Sequence, residues 1–259
     1  MQTRTIAVAN EKGGVGKTVT VINLAAALTQ FNRKVLVVDM DPQANATKGL
    51  GIELTEDSAT VYDLIEPDSD MSVQEAIVST SWDDLDIIPS HVDLSGAEVE
   101  LADVEGRENR LKDVLANLPE VYDFVLLDTP PSLSLLTVNV FTYAKFVLIP
   151  CQTHPYAYAA LEDLLDTIDA VKGAINSTIS VLGIVPTFYD SRTRVSQRIL
   201  NSLKEDERYQ TLLFDTVIRM NTTIAESADV ARPVVFYRKS SYGAIDYNNL
   251  AERVIERVG

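Results

Sequence analysis

The run Lys12-Gly13-Gly14-Val15-Gly16-Lys17-Thr18 sets three glycines and two lysines within one short loop, a combination suited to holding phosphate. Glycines let main-chain N–H groups close in on phosphate oxygens, and a helix opening at such a turn aims its positive dipole end at the same spot. Lys17 has the position of a lysine that reaches the β and γ phosphates of a nucleotide, and the Thr18 hydroxyl that of a Mg²⁺ ligand. The strict spacing G-x-x-x-x-G-K-S/T is not met, because Glu11 stands where its first glycine belongs. Lys12, five residues before Lys17, is the second feature that sets this loop apart.

Carboxylates follow at the ends of short apolar runs. Asp39-Met40-Asp41-Pro42-Gln43 closes the run 35–39, and Asp128 closes the run 124–128 ahead of Thr129-Pro130-Pro131-Ser132. Acids at strand ends beside a phosphate loop supply what phosphoryl transfer needs, positioned charge and a positioned water.

Those groups need a scaffold, and the apolar pattern describes one. Residues 5–9, 35–39, 86–89, 124–128, 146–150 and 180–185 read as strands, nearly continuous in apolar residues and so buried on both faces of a parallel sheet. Helical stretches alternate with them, the clearest carrying Leu161, Leu164, Leu165, Ile168 and Val171 on one face. The alternation predicts a single α/β domain over residues 1–259: a doubly wound, mainly parallel sheet with helices on both faces and ligands at the carboxyl ends of the strands. Residues 53–81 are polar, acidic and weakly periodic, and read as a surface excursion with a short helix or two. Residues 244–258 read as a docked terminal helix with apolar positions at Ile245, Leu250, Val254, Ile255 and Val258.

With 46% apolar residues in 259, and 21 Gly and Pro together, the chain has ample material for a core. No apolar run reaches the roughly 18 residues that span a bilayer, and the N-terminus enters a strand without a signal-peptide shape, so a cytoplasmic protein is expected. One cysteine, Cys151, excludes an intrachain disulfide framework and reads as a small apolar filler. The net charge of −16 argues against nucleic acid, yet it is unevenly spread. Residues 186–259 hold 11 Lys/Arg against 10 Asp/Glu, whereas residues 1–185 hold 11 against 28. Within the balanced part, Arg192, Arg194 and Arg198 recur closely enough for the last two to share a helix face. The acid excess also resembles the surface of proteins from high-salt cytoplasm, which raises the expectation of a halophilic source.

Taken together, these residues resemble the ParA/Soj partition ATPases of the ParA/MinD superfamily. Residues 12–18 match its deviant Walker A loop, residues 35–47 (VLVVDMDPQANAT) its Walker A′ stretch, and residues 123–136 (DFVLLDTPPSLSLL) its Walker B and second switch. Residues 86–98 (DIIPSHVDLSGAE) match a stretch typical of the chromosomal branch, and residues 187–193 (TFYDSRT) resemble the segment near the base and the DNA face.

The resemblance implies a P-loop fold, ATP and Mg²⁺ as cofactors, and a monomer that becomes a nucleotide-sandwich homodimer on binding ATP. It implies nucleotide contacts from Lys12, Gly13, Gly14, Val15, Gly16, Lys17, Thr18 and Val19, and from Pro186, Thr187 and Asn221 on the base side. Lys12 would reach the partner's phosphates, Asp41 would orient the attacking water, Thr18 and Asp128 would hold Mg²⁺, and Asp39 would support its water shell. The dimer would bind DNA without sequence preference through Arg192, Arg194, Arg198 and Arg219, and so become nucleoid-associated. A ParB-like partner would stimulate hydrolysis and release.

Four positions depart from the family pattern. Val19 replaces a threonine, Arg219 and Met220 stand where proline and arginine are usual, and Thr223 stands in place of a second DNA-contacting arginine. Other readings share the core. A MinD-like membrane-positioning ATPase needs a basic amphipathic tail, and residues 251–257 (AERVIER) are charge-balanced. Nitrogenase-reductase-like electron transfer needs two cysteines per chain. A nucleotide-gated scaffold with vestigial hydrolysis would not need both Asp41 and Asp128.

Overall fold

Among the described residues, seven strands form one sheet: β1 (Arg4–Val8), β2 (Val35–Asp39), β3 (Val78–Ser79), β4 (Leu85–Ile88), β5 (Phe124–Asp128), β6 (Phe146–Gln152) and β7 (Ser180–Thr187). The computed structural model describes residues 2–119 and 121–259, the side chains of 157–159 excepted. Among these, helices α1 (Lys17–Thr29) and α2 (Asn45–Gly49) follow β1 and β2, and α3 (Val61–Ile65) lies before β3. Between β4 and β5 come α4 (Leu94–Glu100) and α5 (Arg110–Leu115); α6 (Leu135–Tyr143) and α7 (Ala157–Ala174) follow β5 and β6. After β7 come α8 (Arg194–Glu205), α9 (Thr222–Asp229), α10 (Val234–Tyr237) and α11 (Tyr242–Val258).

The strand order is β3-β4-β2-β5-β1-β6-β7, parallel throughout except for the antiparallel edge pair β3–β4. Alternate residues of each strand serve opposite faces. Ile6, Val8, Val35 and Val37 pack with α1, α10 and α11, whereas Ala7, Leu36 and Val38 pack with α3 to α8. Two-sided burial explains why the strands are apolar runs without polar alternation. Register aligns Asp128 with Val8 on one side and Asp39 on the other, so the carboxyl ends of β1, β2 and β5 finish level, where the chain reverses winding direction.

The doubly wound, mainly parallel sheet matches the sequence expectation, with local corrections. β1 runs one residue earlier than predicted, and β6 and β7 run two residues further. β7 carries Pro186, which a strand at the end of the order admits because a missing N–H there costs little. The excursion 53–81 is not merely a surface feature: Val61, Leu64, Ile65, Val73 and Ala76 are buried in the core. Capping boxes Thr60/Asp63 and Ser72/Glu75 start its two short helical turns, too brief for a helical period to show. α11 buries Ala244, Tyr247, Leu250, Ala251 and Val254, leaving Ile245 40% exposed, contrary to its expected place on the docked face. Cys151 is buried at the end of β6, which pushes its thiol up to about 12.

Candidate nucleotide site

The glycine loop joins β1 to α1, and its shape depends on two residues. Gly14 and Gly16 have φ of 74° and 93°, left-handed values that favour glycine. Gly16 is the N-cap of α1 and supplies no side-chain cap, so the first N–H groups of the helix lack the usual side-chain partner and suit an anion. Lys17, the first helical residue, is buried, and its Nζ donates to the Lys12 carbonyl at 3.3 Å. Burial lowers its pKa, while the Asp128 and Asp41 carboxylates oppose that shift.

A cavity of about 350 Å³ opens over this loop, lined by Gly13, Gly14, Gly16, Lys17, Thr18, Val19 and Asp41, with Gln43, Asn45, Pro131 and Phe188 added by the fold. Lys12 is not among its lining residues. Its main-chain N–H donates to Asn10 Oδ1, and its ammonium lies 5.8 Å from the centre of the Tyr156 ring on the β6–α7 loop. The two lysines therefore have different addresses, one inside the cradle and one at its rim. Val15 turns its side chain inward, and its carbonyl accepts from the Thr187 hydroxyl at 2.8 Å, tying the loop to β7.

The three carboxylates divide in role. Asp128 is fully buried, and among the described residues neither of its oxygens has a hydrogen-bond partner, although the Thr18 hydroxyl lies beside it. Burial and then the Asp39 charge raise its pKa well above the usual carboxylate range, with the Thr18 hydroxyl and Lys17 pulling the other way. An orphaned buried carboxylate beside a hydroxyl fits a divalent cation. Asp41 sits at the phosphate cavity; its Oδ1 accepts from Gln43 N, and Oδ2 has no partner among the described residues.

Asp39, expected as support for the metal's water shell, holds the loop that follows β2. Its Oδ2 accepts from the main-chain N–H and hydroxyl of Thr47, at 2.8 and 2.7 Å, and its Oδ1 accepts from Asp41 N. Burial still pushes it up to about 6. Asp39 thus anchors the loop that carries Asp41. Ser90, which sequence reasoning missed, completes this anchor: its N–H donates to the Thr47 hydroxyl and its own hydroxyl donates to the Asp41 carbonyl at 2.8 Å. Its place just beyond the β4 strand end was the available signal.

A second cavity, of about 410 Å³ and mainly apolar, shares Gly16, Val19 and Phe188 with the first. Thr187 and Asn221 line it as expected. Asn221 Oδ1 is also the cap of α9, accepting from Thr223 N. Pro186 does not line it; its carbonyl accepts from Ile218 N and so positions the wall behind. Phe188, unforeseen, stands at the junction of the two cavities with a left-handed φ of 50°.

The four arginines expected on a DNA face separate. Arg194 and Arg198 lie exposed on α8 with no ion pair among the described residues. Arg192 is exposed but forks onto Asp190 through Nε and Nη2, both at 2.9 Å, which holds that carboxyl down at about 2. Arg219 departs from the expectation: it is among the residues lining the apolar cavity and is ion-paired with the buried Asp246, so it is not a free surface cation.

Comparison with known proteins places this geometry. A protein-family model described as an AAA domain matches residues 3–181. The sporulation initiation inhibitor protein Soj of Bacillus subtilis (strain 168) is 39% identical over 249 residues, covering 96% of this chain and 97% of that one. The chromosome partitioning protein ParA of Caulobacter vibrioides (strain NA1000 / CB15N) is 40% identical over 258 residues, covering 98% and 94%. Among solved structures, cobyrinic acid a,c-diamide synthase from Mycobacterium smegmatis with bound ATP analog and magnesium superposes with a TM-score of 0.86 at 35% identity, over 99% of this chain and 96% of that one. The septum site-determining protein MinD of Pyrococcus horikoshii OT3 complexed with Mg-ADP superposes at 0.78 with 26% identity, over 100% and 98%. These proteins carry different names, and the two structures have a nucleotide with magnesium in common. Likeness at this level along nearly the whole length, on a fold shared with MinD, shows that the chain belongs to the ParA/Soj family of partition proteins within the ParA/MinD superfamily.

Proposed function

We propose that the protein is an ATP-driven switch that dimerises on binding ATP, binds DNA without sequence preference as the dimer, and resets by hydrolysing ATP to ADP and phosphate. The observation that carries this reading is the division of labour at the carboxyl end of the sheet: Lys17 inside the cradle, Lys12 at its rim, Asp41 with a free oxygen facing the cavity, and Asp128 orphaned beside Thr18. Lys17 and the α1 N–H groups hold the phosphates. Asp41 orients the attacking water, and Lys12 acts on the partner's phosphates across the dimer. Thr18 and Asp128 would hold Mg²⁺, directly or through water, which neutralises charge on the phosphates when bound. The apolar cavity takes the nucleoside.

Turnover should depend on the anchor as well as on Asp41 itself. Ser90→Ala removes the hydroxyl that fixes the Asp41 main chain while leaving every phosphate-binding group in place. A lost positioning hydrogen bond of about 1 kcal/mol predicts a roughly fivefold fall in kcat with unchanged ATP affinity. Equal losses in kcat and affinity would show a general disturbance instead.

The DNA-binding part of the reading rests on α8. Of these four arginines, Arg192 and Arg219 are ion-paired and Arg194 and Arg198 have no ion pair among the described residues, and dimerisation would double that pair. An Arg194→Glu/Arg198→Glu protein is expected to dimerise with ATP yet lose DNA binding. Each phosphate contact removed should flatten the log–log salt slope by roughly 0.9. Wild-type binding at several salt concentrations would move the DNA site elsewhere. In the cell the ATP form would associate with the nucleoid, and a ParB-like protein would stimulate release, with chromosome, plasmid or another assembly as cargo. Among the described residues no helix is long and apolar enough to cross a membrane, and α11 already uses its apolar face against α1, which weighs against a MinD-like membrane role.

A further inference from the structure

Arg219 lies in the segment between α8 and α9, and what the fold does with it is specific. Its Nε donates to both oxygens of Asp246 at 3.0 and 3.1 Å, its Nη2 donates to Oδ1 at 2.5 Å, and its main-chain N–H donates to Oδ2 at 3.0 Å. Asp246 lies on α11 and is buried. The guanidinium carbon sits 4.1 Å from the centre of the Tyr242 ring, and Nη1 keeps its hydrogens without a partner among the described residues. A side chain with many rotamers is thereby reduced to one planar group fixed at its edge and supported on an aromatic ring.

Arg219 is also among the residues lining the apolar cavity, with Val19, Ile218, Ile224, Ala225 and Tyr247. An apolar slot next to a phosphate cradle suits a flat aromatic heterocycle, and a guanidinium attracts an aromatic face more strongly as water is excluded. We propose that Arg219, pinned by Asp246 and Tyr242, is a base-positioning residue that forms the cationic wall of the nucleoside site and holds the purine ring of the bound nucleotide. This rests on reading the apolar cavity as the nucleoside site.

The test compares two ligands that share phosphates and differ in the base. Affinity for ATP and for inorganic triphosphate, each with Mg²⁺, is measured by calorimetry on the intact protein and its variants, with thermal unfolding as a check on folding. Arg219→Ala is expected to weaken ATP about tenfold and to leave triphosphate unchanged. Arg219→Lys keeps the charge but loses the plane and the fork, and should fall in the same way. Asp246→Asn, which loosens the pin, should shift ATP in the same direction without affecting triphosphate. Unchanged ATP affinity in Arg219→Ala, or an equal loss for both ligands, would overturn the assignment. Ala225→Trp, which fills the cavity, separates the two levels: it should lose ATP and keep triphosphate. If it keeps ATP, the cavity is not the seat of the base and the proposal falls with that reading. If it loses ATP while Arg219→Ala does not, only the role of Arg219 is wrong.

Discussion

Lys17→Ala is expected to abolish measurable ATP and ADP binding while the protein remains folded. The ammonium is buried at the floor of the phosphate cavity, where burial has already removed much of its hydration. Its hydrogen bond to the Lys12 carbonyl is long, at 3.3 Å, so most of its donor capacity is held for a ligand. At an effective dielectric near 20, two unit charges 4 Å apart interact by about 4 kcal/mol, which is roughly a thousandfold in affinity. The loss exceeds the pairwise figure in one respect: without Lys17, Asp41 and Asp128 face incoming phosphate with no local cation between them. Thermal unfolding with and without Mg·ATP provides the check, because a ligand that binds only the folded state raises the midpoint. Wild-type protein should shift upward and Lys17→Ala should not. A variant that shifts like the wild type would remove the phosphate-cradle reading.

Much of this site was legible because its residues sit where local sequence dictates local structure. β2 and β5 begin and end at the predicted residues, since each is an unbroken apolar run closed by an aspartate. The glycine loop was legible for the same reason: Gly14 and Gly16 are needed by their own φ angles, whatever the rest of the chain does. The misreadings have the opposite cause. Whether Arg219 is a free cation depends on Asp246, 27 residues away on α11, and nothing local in either segment records the pairing. The loop contacts of Asp39 were not legible either, because a strand-end acid has the same local signature whether it faces a metal's water shell or caps a loop. Only the tertiary approach of Thr47 and Ser90 distinguishes the two. The excursion before β3 failed for a further reason. Its buried residues come in groups too short to display a period, and its capping boxes were the better signal.

The position of Lys12 leads to the most discriminating result expected of this protein. Lys12→Ala should bind ATP as a monomer nearly as well as the wild type, because Lys12 does not line its own phosphate cavity. Its turnover should nevertheless fall by roughly a thousandfold or more, the scale on which a cation supplied across an interface acts on charge developing at transferring phosphate. Asp41→Ala should fail differently. It removes the carboxylate that holds the water and relieves repulsion near the γ-phosphate, so ATP-bound dimers should accumulate without hydrolysis. Neither protein alone turns over. In a mixed dimer, the site that uses Asp41 of the Lys12→Ala chain receives Lys12 from the other chain and is complete, whereas the second site lacks both groups. With random pairing in an equal mixture, half of the dimers are mixed and half of their sites are complete, so about a quarter of the wild-type rate should return. If Lys12 acts on its own chain's phosphates, every site in every dimer lacks one group. The mixture would then show only the sum of the two inactive proteins. The rate of the mixture, measured against protein concentration so that dimer formation is saturated, therefore decides whether the rim lysine serves its own nucleotide or its partner's.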